Sequence, residues 1–289
     1  MTSKKQFWIY ILIAFGGGWL LMALGMLLGG ALYQILLALA MFMPMLGVLL
    51  SHGSLKTART GIRWNAPLRG RVRWYLLAWF GPMVLSLAGA ALYFLLFPAR
   101  FDPSLSTLAG QLAAAEAAGQ SVPLTPVLLA VVTALQAVTY APLMNMLLAV
   151  GEESGWRGYM TPYLTGRFGR RAGLLLAGVI WAVWHWPLIL LAGYEYGTGY
   201  WGAPFTGMLL MCVGCAALSI LLTFLYEKAD SIWAPALCHG ALNAGAGVGI
   251  LFLAPDAASL ILGPTPLGLI AGIPLYLLAL PVLLRKPET

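Results

Sequence analysis

The sequence predicts an all-α membrane protein: a polytopic bundle of about eight transmembrane helices with both termini in the cytoplasm. Three observations predict it. Of the 289 residues, 61% are apolar and 9% are charged, whereas soluble domains carry roughly 45–50% and about 25%. Apolar runs of about 20 residues, the length that crosses the hydrocarbon as a helix, recur along the chain. Basic residues gather on alternate connections, as the positive-inside rule requires. So few charged groups cannot solvate a 30.9 kDa globule, and disordered, collagenous and disulfide-scaffold classes are excluded with it. The net charge of +7 has its use in orienting the chain, so no nucleic-acid partner is expected.

The expected spans are 7–29, 31–51, 74–97, 127–150, 172–192, 207–226, 231–254 and 257–284. A membrane β-barrel would need short alternating strands, which these unbroken runs exclude. The first run is too long for a signal-peptide core and lacks a small-residue cleavage site, so it is read as a retained span. With eight spans, Lys4 and Lys5, the loop holding Lys56, Arg59, Arg63, Arg69, Arg71 and Arg73, then Arg167, Arg170, Arg171, Lys228, Arg285 and Lys286 all fall on one side. Arg100 alone falls on the other. An even span count thus agrees with the charge pattern. The long 98–126 connection includes an Ala-rich stretch, 104–118, that suits a short interfacial helix. Tyr194, Tyr196, Tyr200 and Trp201 suit an interfacial belt, with Glu195 solvated beside them. No internal repeat or soluble appendage is evident, so residues 1–289 are read as one membrane domain with its chemistry in about 125–250. Abundant Arg, Ala and Gly point to a bacterial gene, and hence to the inner membrane.

An ionisable side chain inside a span costs several kcal/mol unless paired or wet, so such residues mark candidate sites. Three patches qualify. In Gly151-Glu152-Glu153-Ser154-Gly155-Trp156-Arg157, Glu153 and Arg157 stand four apart on one helix face and can pair, while Glu152 points about 100° away. Alone, this is equally what a solvated helix end with one salt bridge looks like. His185 sits among Trp181, Trp184 and Trp186, about 20 Å along its span; alone it fits a packed, hydrogen-bonded core residue. His239 and Asn243 stack on one face of a span rich in Ala and Gly, where helix–helix polar glue is the simpler account. Together the patches say more. Glu with His activates water, His with Asn donates to a developing oxyanion, and two His with a carboxylate can hold a hydrolytic zinc ion. Read literally, Glu152 lies at the end of its span and His185 near mid-membrane, too far apart unless the fourth span is drawn inward.

The three patches resemble the signature of the CAAX protease and bacteriocin-processing (Abi) family of intramembrane endopeptidases: Glu-Glu-x-x-x-Arg, Phe-x-x-x-His, then His-x-x-x-Asn or Asp. Glu152, Glu153 and Arg157 match the first motif, His185 the second, and His239 with Asn243 the third. Trp181 stands where Phe is usual, so an aromatic packing role is expected to survive with an altered pocket wall. The resemblance implies an endopeptidase whose cavity opens to the cytoplasm. In it Glu152 is the general base, His185 orients or shares the water, and His239 and Asn243 hold the oxyanion. Glu153 and Arg157 brace the helix. The family is described both as metal-dependent and as glutamate-dependent, so a zinc or other divalent ion on His185, His239 and Glu152 stays an alternative to direct catalysis by Glu152. Eukaryotic relatives cut after prenylated cysteines, which makes the expected substrate a membrane-bound, potentially lipidated peptide or protein, in contact with membrane lipid. A transporter or scaffold that keeps these residues as structural glue is the rival; it would favour broken helices and paired repeats.

Two smaller motifs are read structurally. Cys212-x-x-Cys215 lies in an apolar span with no adjacent charge to lower a thiol pKa, so it packs rather than reacts. Gly245-x-x-x-Gly249 fits close helix contact.

Overall fold

A computed structural model describes residues 3–53, 61–120, 123–255 and 259–285; Lys56, Arg59, Lys286 and the expected start of the last span at 257 lie outside them. The described residues are all-helical, with one isolated bridge between Phe101 and Leu253. Eleven helices carry the argument: α1 Lys4–Leu28, α2 Gly30–Ala40, α3 Met43–His52, α4 Val72–Leu96, α5 Ser106–Ala117, α6 Pro126–Val138, α7 Ala141–Phe168, α8 Arg170–Ala192, α9 Phe205–Ala229, α10 Trp233–Phe252 and α11 Ile273–Leu284. Among the described residues, α1, α4, α8, α9 and α10 are each long and apolar enough to span a bilayer. The bent pairs α2/α3 and α6/α7 raise the number to as many as seven. Side chains such as Leu12, Leu27 and Leu95 stay at least 73% exposed, an outward apolar surface that suits lipid.

Among the described residues two of the eight expected spans are bent and the last is helical only in its second half, and proline is the main reason. Pro142 has no N–H to bond the carbonyl of Val138, so the helix breaks and α6 and α7 diverge by 51°. The freed Val138 carbonyl accepts the indole N–H of Trp79 at 2.9 Å. Pro44 breaks the second span in the same way, with a 42° bend between α2 and α3. Between 259 and 272 the expected eighth span is a compact loop, set by Gly263, Pro264, Pro266 and Gly268. Its backbone pairs internally (Leu269 N–H to Ile261 O 2.8 Å, Ile270 N–H to Leu262 O 3.0 Å), and residues 263–266 are buried. Non-helical backbone at membrane depth survives only when protein satisfies it in this way. α11 supplies just 12 apolar residues after it.

The bundle has two distinct ends. At one, Arg63 and Arg71 reach Asp230 at 3.2 and 3.0 Å, Arg170 forms a two-pronged pair with Glu227, and Arg171 donates to the Leu284 carbonyl. At the far end, Asp102 N–H donates to Phe252 O, Ala254 N–H to Arg100 O and Leu260 N–H to Tyr196 O. The 104–118 helix forms as α5, packed at that end through Leu105 and Leu108. The two Cys of α9 are free, Cys215 buried.

Candidate active site

α7 carries the first patch deep into the bundle because it continues past the expected boundary to Phe168. Glu152 then stands roughly 16 Å from one end of the helix and 24 Å from the other, at 1.5 Å per residue. The inward displacement that the literal reading lacked is therefore present. Two glycines bracket the Glu pair and make it possible. A Cβ on Gly151 would lie 2.7 Å from the Met41 carbonyl oxygen, and one on Gly155 would lie 2.4 Å from Pro44 Cβ, so the α2/α3 bend packs directly on the α7 backbone. A wide π turn at Trp156–Met160 follows, where Pro162 cannot bond back to Gly158.

The geometry separates the two carboxylates. Glu153 and Arg157 are fully buried, paired at 3.0 Å, and the same Glu153 oxygen, Oε1, lies 2.8 Å from His239 Nδ1. The Arg157 guanidinium lies 4.2 Å over the ring of Trp181. Glu152 turns the other way into a cavity of about 140 Å³, which it lines together with His185, His239 and Asn243. α7, α8 and α10 thus bring all four cavity-facing residues of the three patches together, with Glu153 and Arg157 behind the wall. His185 Nδ1 faces its own helix, 3.0 Å from the Trp181 carbonyl. That contact makes Nδ1 the donor and leaves Nε2 as an acceptor.

Three contributors escaped the sequence reading. The indole N–H groups of Trp156 and Trp181 both donate to Glu152 Oε2, at 3.0 and 2.9 Å. Trp181 in place of Phe therefore supplies a hydrogen bond as well as packing, and Oε1 of Glu152 is left for the cavity. The signal was visible as Trp at 156 and 181, but only folding shows both aimed at one oxygen. Tyr194, expected in an interfacial belt, instead stacks on His185 (6.0 Å between rings, 9° between planes) and lines the cavity. Tyr196 is buried, and Trp201 alone of that group is nearly fully exposed. Glu195 is not simply solvated: its Oε1 is shut off without a partner, its φ is +67°, and burial pushes its carboxyl up.

A family model for type II CAAX prenyl endopeptidases, described as Rce1-like, matches residues 134–245. That stretch holds all six motif residues and both Trp donors. Residues 134–245 are therefore similar to the Rce1-like family. The chain is also 38% identical over 60 residues to CAAX prenyl protease 2 of Methanococcus maripaludis. The aligned stretch spans 20% of this chain and 22% of that protein.

Within residues 134–245 the side chains form no ready-made zinc site. Among the described residues no three His, Cys, Asp or Glu side chains group closely enough to hold a metal ion. No step is therefore derived through a metal.

Proposed function

We propose that the chain is an intramembrane endopeptidase, held in a bacterial inner membrane with its basic end in the cytoplasm, that hydrolyses a peptide bond of a membrane-associated peptide or protein. The observation that carries this reading is the convergence of Glu152, His185, His239 and Asn243 from three helices on one cavity. A passive scaffold has no need for a carboxylate held by two indoles at the wall of a pocket.

In this scheme Glu152 Oε1 takes a proton from a water that His185 Nε2 orients by accepting its other hydrogen. The water oxygen bonds to the scissile carbonyl carbon, and charge moves onto the carbonyl oxygen. Asn243 Nδ2 donates to that oxyanion, as does His239 Nε2 when the ring is in its imidazolium form, with Nδ1 held by Glu153. Collapse of the intermediate breaks the C–N bond, and Glu152 passes its proton to the leaving amine. The cavity has room for a few waters at ~30 Å³ each, enough for the reacting group and its nucleophile. Lipidated substrates are included in the proposal. Beside the cavity runs an apolar groove of about 670 Å³ between α4, α9 and α11, with space for an alkyl or isoprenoid chain.

The test is cleavage of a quenched peptide library by protein reconstituted in lipid, before and after chelation and for Glu152→Gln. Expected is chelator-insensitive cleavage that falls about 10²–10⁴-fold in the variant, the usual worth of a general base. Cleavage retained by Glu152→Gln refutes the scheme; cleavage lost on chelation transfers His185, His239 and Glu152 to a ligand set.

A further inference from the structure

α11 separates two apolar depressions. On one side lies the large groove that borders α4 and α9. On the other, α8, α9 and α11 enclose a second space of about 360 Å³, lined by Leu175, Val179, Ala216, Tyr276, Ala279 and Leu283 among others. It shares no lining residue with the polar cavity, so the proposed chemistry leaves it unused. The small side chains of Ala216 and Ala279 let a neighbouring chain come close. The hydroxyl of Tyr276 is taken up by the carbonyls of Leu267 and Gly268, at 3.4 and 3.2 Å.

The end of this depression nearest the basic loops is charged. Arg171 stands one turn before Leu175 on the same face of α8, and its guanidinium donates to the Leu284 carbonyl at 3.0 Å. That bond ties the start of α8 to the end of α11 and brings exposed Arg285, next in the chain, to the same rim. From Arg171 to Val179 is about 12 Å at 1.5 Å per residue, close to half of the ~30 Å hydrocarbon thickness. Arg171 also differs from its neighbours. Arg63 and Arg71 face Asp230, and Arg170 faces Glu227. Among the described residues Arg171 meets no carboxylate, and it is exposed. It lies in the first turn of α8, where a cation opposes the helix dipole. An anion beside it relieves both conditions.

We propose that this depression binds an anionic phospholipid, with one acyl chain along α8 and α11 and the phosphate at Arg171 on the Arg285 rim. Basic pockets between membrane helices suit such headgroups. A second copy of this chain fits less well. Two copies in one membrane share an orientation, so a dimer across this face would set Arg171 and Arg285 of each copy against the same arginines of the other. The site does not depend on the endopeptidase reading.

Native mass spectrometry of the full chain, titrated with phosphatidylglycerol and phosphatidylcholine of identical acyl chains, tests this. The wild-type protein should retain phosphatidylglycerol in preference. Arg171→Gln should weaken that binding about fivefold or more, the order of one basic residue at an anionic surface, and leave phosphatidylcholine unchanged. Val179→Trp fills the depression and should weaken phosphatidylglycerol binding as well, whereas Leu12→Trp, on another lipid-facing surface, should not. If Arg171→Gln does not accumulate, Val179→Trp against Leu12→Trp carries the test. Equal retention of the two lipids, or phosphatidylglycerol binding untouched by the variants at 171 and 179, overturns the proposal. Displacement of the lipid by excess inorganic phosphate would make this a plain phosphate site and overturns it too. So does a dimer that Val179→Trp splits into monomers, which assigns the face to a second copy.

Discussion

The polar cavity and the apolar groove share a wall made by Trp181, Leu218, His239 and Leu242, yet their chemistry is opposite. The groove is nearly five times larger and presents almost nothing but Leu, Phe, Val and Pro. The cavity holds a carboxylate, two imidazoles, an amide and a tyrosine in about 140 Å³. Apolar volume in a membrane protein is inexpensive, because lipid is as good a neighbour as Leu. Polar groups at the same depth persist only where partners hold them, as two indoles hold Glu152 and as Glu153 holds His239. Size therefore marks where a chain or lipid can lie, and the network of partners marks where chemistry can occur.

That contrast can be broken or sharpened by substitution on either side of the wall. Beyond loss of the base itself, the largest effect is expected for Asn243→Ala: removing an oxyanion donor lowers turnover by about 10²–10³-fold, read as kcat with little change in KM. Unchanged kcat removes Asn243 from that role. Trp181→Phe keeps the ring under Arg157 and deletes one N–H bond to Glu152. A hydrogen bond to a charged group contributes about 1.5–3 kcal/mol, so kcat should fall by about ten- to a hundredfold. If Trp181 only packs, this variant leaves kcat and its pH profile unmoved.

On the groove side, Leu278→Trp narrows the lining of an exposed face. Turnover of an unlipidated peptide should stay within a factor of about two, as for surface substitutions generally, while a lipidated version of the same peptide should lose rate. Equal losses for both peptides would mean that groove and cavity act as one.

The smallest expected effect is confined to the far-end loops. Ser104 and Ser106 hydrogen bonds hold the Asp102 carboxyl down at about 2, against an ordinary 3.8. A lowered folded-state value means that the stabilisation is complete above about pH 4 and is lost as pH falls through 2. Hydrogen exchange at the start of α5 should accelerate across that window, with the α7–α8–α10 core unaffected. No change in α5 protection would assign its anchoring to Leu105 and Leu108 instead.

The sequence by itself determined the class of protein, because hydrocarbon admits few charges and demands long apolar helices. It also singled out six polar residues as candidates, since intramembrane Glu, His and Arg are costly. Spacing along one helix decided which could pair: Glu153 with Arg157 was legible as an i, i+4 pair, and that bond is present. Pairing across helices was not legible. Whether Glu153 would meet His239, or Trp156 and Trp181 one oxygen of Glu152, depends on how α7, α8 and α10 rotate against each other. Hydropathy fixes spans and leaves that rotation free. The same holds for the expected eight spans. Hydropathy saw 257–284 as continuous, but Gly263, Pro264 and Pro266 folded its first half into a loop whose backbone is satisfied only by surrounding protein. Tertiary structure alone decided on which side of the Trp181 wall the carboxylate faces, because that is a relation between helices that no single helix encodes.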